Sequence, residues 1–131
     1  MTPEMTASRI TTRTSEVWVR EDGITHVVDL PNLIKTVDDA KEIMAVIVEL
    51  NHGKPVPVLV DIRAGLGADR ETRAYYAGTE ILDSTRALAL LVGSRLTRLM
   101  ANLFISINRP AVPTRLFTSE DEAIAWLKTY L

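Results

Sequence analysis

Two short apolar runs limit the possible folds of this chain more than any other feature. Within residues 55–62 and 86–92, apolar side chains occupy consecutive positions, 55–60 and 87–92, rather than alternating ones. Consecutive apolar positions are typical of strands that are covered on both faces, and such strands occur mainly in parallel sheets. Parallel strands need crossover connections, which helices usually supply. The two runs therefore predict an α/β fold in which helices cover a mainly parallel sheet.

The segments around these runs have the three-to-four spacing of amphipathic helices. A first helix begins with a Thr-x-x-Asp signal at Thr36 and ends before Gly53, and a last helix begins at a Ser-x-x-Glu capping box at Ser119. Two further helices follow the apolar runs, and Pro110 ends the second of these. The predicted inward positions are Ala40, Ile43, Met44, Ile47 and Leu50 in the first helix, Ala74, Ala77, Gly78, Ile81 and Leu82 in the second, Leu96, Leu99, Met100, Leu103 and Ile107 in the third, and Ala123, Ile124, Leu127 and Leu131 in the last.

Strands also begin and end the chain. Residues 15–30 contain two extended runs around a turn at residues 21–23, which predicts an opening β-hairpin, and Thr114–Phe117 predicts a short last strand. The predicted order is β-β-α-β-α-β-α-β-α, a mixed and mainly parallel sheet with an antiparallel edge from the hairpin. Because no repeat or linker divides the chain, residues 1–131 are predicted to be a single domain, of which residues 1–8 are expected to be mobile.

The charge balance disfavours two classes of partner. Fifteen Lys and Arg residues and 17 Asp and Glu residues are mixed along the chain, for a formal net charge of -2. This balance provides no basic field that would attract nucleic acid or anionic lipid. The longest apolar runs, 43–48 and 87–92, are far shorter than the roughly 20 residues of a membrane-spanning helix, and the first residues lack the apolar core of a signal peptide. We therefore predict a soluble, cytoplasmic protein with no nucleic-acid partner and no membrane span.

The loop after the first apolar run contains two glycines, Gly65 and Gly67, at a place where some folds bind phosphate. Arg70 stands where the dinucleotide-binding fingerprint needs a third glycine or an alanine, and no Gly-Lys-Ser/Thr is present. A flexible turn, with Asp69 as the N-cap of the next helix, is therefore the favoured interpretation. A phosphate cradle is the alternative, and a loop of this length is also a candidate contact surface.

No residue pattern identifies catalysis or metal binding. Asp61 is interpreted as a strand-end residue that bonds to loop amides, while His26 and His52 have no companion ligands at metal spacing. The serines lack a Gly-x-Ser-x-Gly setting, and the chain has no cysteine. We expect no catalytic residue, no metal ligand and no cofactor. An enzyme with an unrecognised site stays open as an alternative.

The third helix carries candidates for an interface. Arg95 and Arg98 share a polar face, whereas Phe104 and Ile105 lie outside the predicted inward face. A helix that is apolar on more than one side is either deeply buried or covered by a partner. The two adjacent tyrosines that begin at Tyr75 pose the same choice, because neighbouring helix residues cannot both face inward. Packing at the sheet edge, a homodimer and a docked protein partner stay open.

The element order and the glycine loop together resemble the STAS family, the sulfate-transporter and anti-sigma-factor-antagonist domains, from about Ser15 to the end. The segments Leu91–Phe104 and Pro113–Leu127 are similar to a branch of small, uncharacterised bacterial STAS-like proteins. In the anti-sigma-factor antagonists, an Asp-Ser pair opens the helix after this loop, and the Ser is phosphorylated. Here Asp69 is followed by Arg70. The resemblance implies a STAS-like regulatory or protein-interaction module without the usual phosphorylatable serine.

The resemblance also makes the loop and the helix after it a surface for an unidentified protein partner. The candidates at this surface are Gly65, Gly67, Asp69, Arg70, Thr72, Tyr75 and Tyr76, and those on the third helix are Arg95, Arg98, Phe104 and Ile105. Thr72 supplies the hydroxyl nearest to the missing serine, two positions later. Related α/β folds suggest an alternative function, the binding of a small ligand or lipid between the sheet and its helices.

Overall fold

A six-stranded mixed sheet forms the centre of the structure, a computed structural model that describes residues 9–131. The strands run in the order β1-β2-β3-β5-β7-β8, and β4 and β6 form a separate two-stranded ribbon. Their bounds are β1 Ile10–Thr11, β2 Ser15–Val19, β3 Thr25–Asp29, β4 Ile34–Lys35, β5 Val56–Asp61, β6 Gly67–Ala68, β7 Thr85–Leu91 and β8 Thr114–Phe117. The expected mobility of residues 1–8 lies outside the described residues.

The helices begin at capping residues, most of which the sequence predicted. Their bounds are α1 Val37–Leu50, α2 Arg70–Ala77, a 3-10 helix Thr79–Asp83, α3 Arg95–Leu103, its π-helical continuation Phe104–Asn108, and α4 Glu120–Lys128. The side chains of Thr36, Asp69 and Ser119 accept hydrogen bonds from first-turn amides of α1, α2 and α4, as expected. Ser94, which the sequence analysis did not single out as a cap, does the same for α3.

The sheet topology confirms the predicted fold class. Strands β1, β2 and β3 are antiparallel neighbours, while β3, β5, β7 and β8 pair in parallel. The two apolar runs form β5 and β7, the interior strands of the parallel part, which explains their consecutive apolar positions. The short strand β1 and the β4–β6 ribbon were not predicted, because two-residue strands are too short to show a periodic pattern.

Helices cover the two faces of the sheet unequally. Leu88 and Leu90 of β7 pack against α1, α3 and the 3-10 helix on one side, which we call the three-helix face after α1, α2 and α3. The alternate positions Ala87, Ala89 and Leu91 pack against α4 on the other side, the one-helix face. The three-helix face contains the larger core and the cavity described below.

The inward positions predicted for α1 are confirmed. Of the five predicted for α3, only Met100 lies on the inner side, where it lines the cavity, and the other four are wrong. Leu96, Leu99, Leu103 and Ile107 are exposed, and Thr97, Ala101 and Phe104 face the sheet instead. The two sets have the same helical spacing, and the sequence pattern favoured the more apolar one. Thr97 is held on the inner side because its hydroxyl accepts hydrogen bonds from the backbone N–H groups of Gly93 and Ser94, both at 3.0 Å.

Three other predicted inward positions are also wrong. Ala74, Leu82 and Leu131 are exposed. Leu82 lies in a 3-10 helix, whose three-residue turn does not continue the face of α2, and Leu131 lies beyond the end of α4. The helical periods assumed from the sequence do not extend to Leu82 and Leu131, whereas Ala74 lies within α2 on its exposed side.

Candidate functional site: a cavity between the sheet and three helices

A cavity of about 530 Å³ lies between the sheet and α1, α2 and α3. Most of its wall is apolar and comes from the three-helix face, including Ile43, Ile47, Val58, Val60, Leu88 and Leu90. Its volume falls within the range of roughly 300 to 1,000 Å³ that is usual for small-molecule sites. The sequence pattern located these side chains in a core but contained no sign that the core surrounds open space.

One part of the cavity wall is polar. Lys35 of β4 and Asp29 of β3 form an ion pair, with Nζ 2.7 Å from Oδ1, and each side chain is only 7% exposed. The hydroxyl of Ser15 also donates to Asp29 Oδ1, at 3.1 Å. Two cationic side chains of α2, Arg70 and Arg73, line the same cavity. The cavity therefore combines an apolar wall with one carboxylate and three cationic groups.

Lys35 is held in place by the start of α2. The parallel pairing of β4 with β6 brings the Lys35 carbonyl next to the N-cap of that helix. The backbone N–H of Asp69 donates to this carbonyl at 3.1 Å, and the Thr72 hydroxyl oxygen lies 3.2 Å from it. Loop, ribbon and helix are thus one connected unit around the lysine.

Both glycines of the loop permit close approaches. A Cβ added at Gly65 would lie 3.0 Å from Oδ2 of Asp29, so the backbone passes directly over the carboxylate. Gly67 has a φ of +110°, which favours glycine, and a Cβ there would lie 3.0 Å from Sδ of Met100. The loop therefore connects the polar wall of the cavity to α3, a role that the sequence did not predict.

The candidate residues at the start of α2 differ in exposure and in hydrogen bonding. Asp69 is the predicted N-cap: its Oδ1 accepts from the Thr72 hydroxyl at 2.5 Å and from the Thr72 N–H at 2.9 Å, and these bonds lower the pKa of Asp69. Thr72 is 0% exposed, so its place among the surface candidates is wrong. Arg70 is exposed and also reaches the cavity.

Both tyrosines of α2 contact the core, contrary to the expectation that only one could. Their ring centroids lie 5.8 Å apart, and both side chains pack against the three-helix face. A long side chain can reach the core from the flank of a helix, which explains the difference. Tyr76 lines the cavity beneath Lys35, whose Nζ lies 5.8 Å from the ring centroid. Burial raises the pKa of the Tyr76 phenol, and the charge of Asp29 acts in the same direction.

The interface candidates on the third helix also differ in exposure. Phe104 is only 9% exposed and lines the cavity, so its assignment to a surface interface is wrong. It lies three residues after Ala101, on the inner face of the helix. Ile105 is partly buried against the same core, whereas Arg95 and Arg98 are exposed.

Two polar residues interpreted as structural lie on or beside the sheet. Asp61 ends β5 and accepts from the Arg63 N–H at 3.0 Å and from its guanidinium at 2.9 and 2.7 Å, which confirms the strand-end interpretation. Burial acts to raise the pKa of Asp61, but the bonds from Arg63 prevail and lower it. His26 of β3 lies beside Trp18, with ring centroids 4.4 Å apart.

Asp29, Lys35 and Arg73 were missed by the sequence analysis. One signal was available: Lys35 directly precedes the Thr36 cap, and a cation is unfavourable near the positive end of a helix dipole unless it has a partner. The partner itself could not be found, because Asp29 meets Lys35 only through the fold.

Comparisons with known proteins extend these observations. Among residues 9–131, no helix is both long and apolar enough to cross a membrane. No curated protein matches the sequence. The structure is similar to that of an uncharacterised DUF3478-family protein with a SpoIIAA-like fold from Shewanella loihica PV-4, with a TM-score of 0.61 and 12% identity over 90% of this chain and 98% of that one. This similarity confirms the STAS-like fold.

Two matches concern proteins without a described function. A protein with unknown function from Arthrobacter sp. FB24 is 29% identical over 92% of this chain and 97% of that one, with a TM-score of 0.32. The model of the family described as "Domain of unknown function (DUF7793)" matches residues 17–131. The chain therefore belongs to the DUF7793 family.

Proposed function

We propose that this protein is a non-catalytic STAS-like module that binds a small amphipathic molecule in the cavity of the three-helix face. The observation that carries the proposal is the cavity itself, which has a volume of about 530 Å³. Its wall is mostly apolar and includes buried charged groups. Ligand sites of this kind pair a large apolar surface with a few polar groups that orient the ligand.

The charges of the wall favour an anionic head on the ligand. Asp29 and Lys35 neutralise each other at 2.7 Å, which leaves Arg70 and Arg73 as the excess charge of the cavity. Arginine binds carboxylate and phosphate well because its planar guanidinium donates two parallel hydrogen bonds. A single-chain carboxylate or phosphate ester fits both the apolar wall and this charge.

The arrangement supports binding rather than chemistry. Of the described side chains that line the cavity, the acidic and basic ones are Asp29, Lys35, Arg70, Arg73 and Tyr76. The carboxylate is already paired with the lysine, and the phenol, whose pKa burial raises further, is protonated near neutral pH. A catalytic site would need a free base within hydrogen-bond distance of a nucleophile.

Thermal unfolding with three ten-carbon probes tests the proposal: decanoate, decyl phosphate and decylammonium, each below its micelle concentration. The two anions are expected to raise Tm and the cation to leave it unchanged, because only the anions match the arginines. Leu90→Trp fills the cavity from β7 and is expected to abolish the shift. Val48→Trp is the matched control, because Val48 is exposed on α1 and does not line the cavity. The proposal fails if no probe raises Tm, or if Leu90→Trp responds like the wild type.

Contact with a protein partner is a second candidate function, favoured by the exposed tip of the glycine loop. Leu66 is 51% exposed between Gly65 and Gly67, and Asp69 and Arg70 beside it are exposed too. A homodimer through this tip is expected to dissociate in the Leu66→Ser variant, as measured by sedimentation velocity. A wild-type protein that stays monomeric at high concentration would argue against the homodimer.

A further inference from the structure

Helix α3 and its π-helical continuation present an apolar stripe to solvent. Leu96, Leu99, Leu103 and Ile107 are 60%, 54%, 45% and 71% exposed. Their spacing of three, four and four residues places them on one face. Four large apolar side chains on one exposed face are unusual for a free surface and mark an interaction site.

The same helix lies in a segment of one charge sign. No Asp or Glu occurs between Asp83 and Glu120, whereas Arg95 and Arg98 lie on α3 and Arg109 directly follows its continuation. In the part of the chain from residue 9 onward, these three arginines form no ion pair. The net charge of -2 conceals this local excess of positive charge.

We propose that this helix docks the protein on the surface of an anionic lipid bilayer. The stripe from Leu96 to Ile107 enters the boundary between headgroups and acyl chains, and Arg95, Arg98 and Arg109 contact anionic headgroups. Helices that lie in a membrane interface combine these two features, an apolar face and a basic polar face. The sequence-based expectation that anionic lipid is disfavoured used the whole-chain charge, which does not describe this helix.

Charge also distinguishes a bilayer from a second copy of the chain. A twofold dimer through this face would place the same basic helix opposite itself, so Arg95 and Arg98 would face like charges. A bilayer that contains anionic lipid accepts the apolar stripe and neutralises the arginines together.

The docking face is next to the cavity but can be tested separately from it. Leu103 and Ile107 belong to the stripe and also line the cavity, whereas Leu96 and Leu99 belong to the stripe alone. A double variant, Leu96→Ser with Leu99→Ser, therefore removes half of the stripe and leaves the cavity wall intact.

Flotation with two kinds of vesicle tests the inference: phosphatidylcholine alone, and phosphatidylcholine with phosphatidylglycerol at three to one. The wild type is expected to bind the mixed vesicles and to lose binding as salt is raised. The Leu96→Ser/Leu99→Ser variant is expected to bind at least tenfold more weakly, since two side chains no longer enter the interface. Arg95→Gln/Arg98→Gln is expected to weaken binding about 25-fold, about fivefold for each arginine. Val48→Ser with Leu82→Ser is the control, because both residues are exposed and apolar outside this face.

Equal binding to both kinds of vesicle, or full binding by the leucine variant with a native circular dichroism spectrum, overturns the inference. A wild-type dimer that this variant dissociates, without vesicle binding, assigns the face to a second copy and also overturns it. Binding to an acidic protein without binding to either kind of vesicle also overturns the inference. The leucine variant is expected to retain the Tm shift with decyl phosphate, so failure at the membrane and failure at the cavity are distinguishable.

Discussion

Phe104 and Ile107 are only three positions apart, but the exposed fractions of their side chains differ widely. Phe104 is 9% exposed at the cavity wall, and Ile107 is 71% exposed. Phe104→Asp is expected to unfold the protein: truncation of a buried phenylalanine alone costs about 3 to 5 kcal/mol, and a buried carboxylate adds to this. Ile107→Asp is expected to change the free energy of unfolding by less than about 0.5 kcal/mol. Urea unfolding followed by circular dichroism measures both, and a folded Phe104→Asp protein would contradict the burial.

His26 is expected to make the free energy of unfolding depend on pH. Burial lowers its pKa, and Nε2 is buried without a hydrogen-bond partner among the described residues. Because the folded state holds His26 at a lower pKa than the unfolded chain does, the unfolded chain takes up the proton first as the pH falls. The stabilisation is therefore complete above the unfolded pKa of about 6.5 and is lost as the pH falls below it. Urea midpoints are expected to be lower at pH 5.5 than at pH 7.5.

Two variants test whether His26 is the group responsible for this pH dependence. His26→Phe keeps a ring beside Trp18 and is expected to show nearly equal urea midpoints at the two pH values. His52→Asn is the control, because His52 is exposed at the end of α1 with a φ of 54°, which asparagine tolerates. If His26→Phe keeps the wild-type difference between the two midpoints, another group is responsible.

At the scale of elements, α3 shows which information a helical pattern lacks. The periodicity places Leu96 and Leu99 on one face and Thr97 and Ala101 on another, and it does not say which face meets the sheet. Choosing the more apolar face succeeded for α1, whose predicted inward residues are buried or pack against the core. It failed for α3, where the small residues Thr97 and Ala101 are buried while the leucines are exposed.

The helices of the three-helix face are expected to differ in local stability. Helix α1 buries five residues, whereas α3 buries only Thr97 and Ala101, with Phe104 in its continuation. Segments with few buried contacts open more easily, and their amide hydrogens exchange faster. Hydrogen-exchange mass spectrometry is expected to show faster exchange in residues 95–108 than in 37–50, and decyl phosphate is expected to slow the former. Slower exchange in 95–108 than in 37–50 would contradict this ranking.

At the scale of the whole molecule, the sequence predicted the layers but not the space between them. The runs that became β5 and β7 and the caps at Thr36, Asp69 and Ser119 were sufficient for the fold class, because strand burial and helix starts are local signals. The cavity depends on the distance between sheet and helices, which no local pattern encodes. The pair of Asp29 and Lys35 depends on the β4–β6 ribbon, which is too short to be read from sequence.

The unequal packing of the two sheet faces leads to one further expectation for the molecule as a whole. Leu127 is fully buried on the one-helix face, and Leu90 is buried on the three-helix face but borders the cavity. Leu127→Ala is expected to lower the free energy of unfolding by about 3 to 5 kcal/mol, near the upper end of such substitutions. Leu90→Ala is expected to cost about 2 to 3 kcal/mol, because a side chain beside open space has fewer packing partners to lose. Urea unfolding at pH 7.5 measures both costs, and a larger loss at Leu90 would show that the three-helix face is as tightly packed as the other.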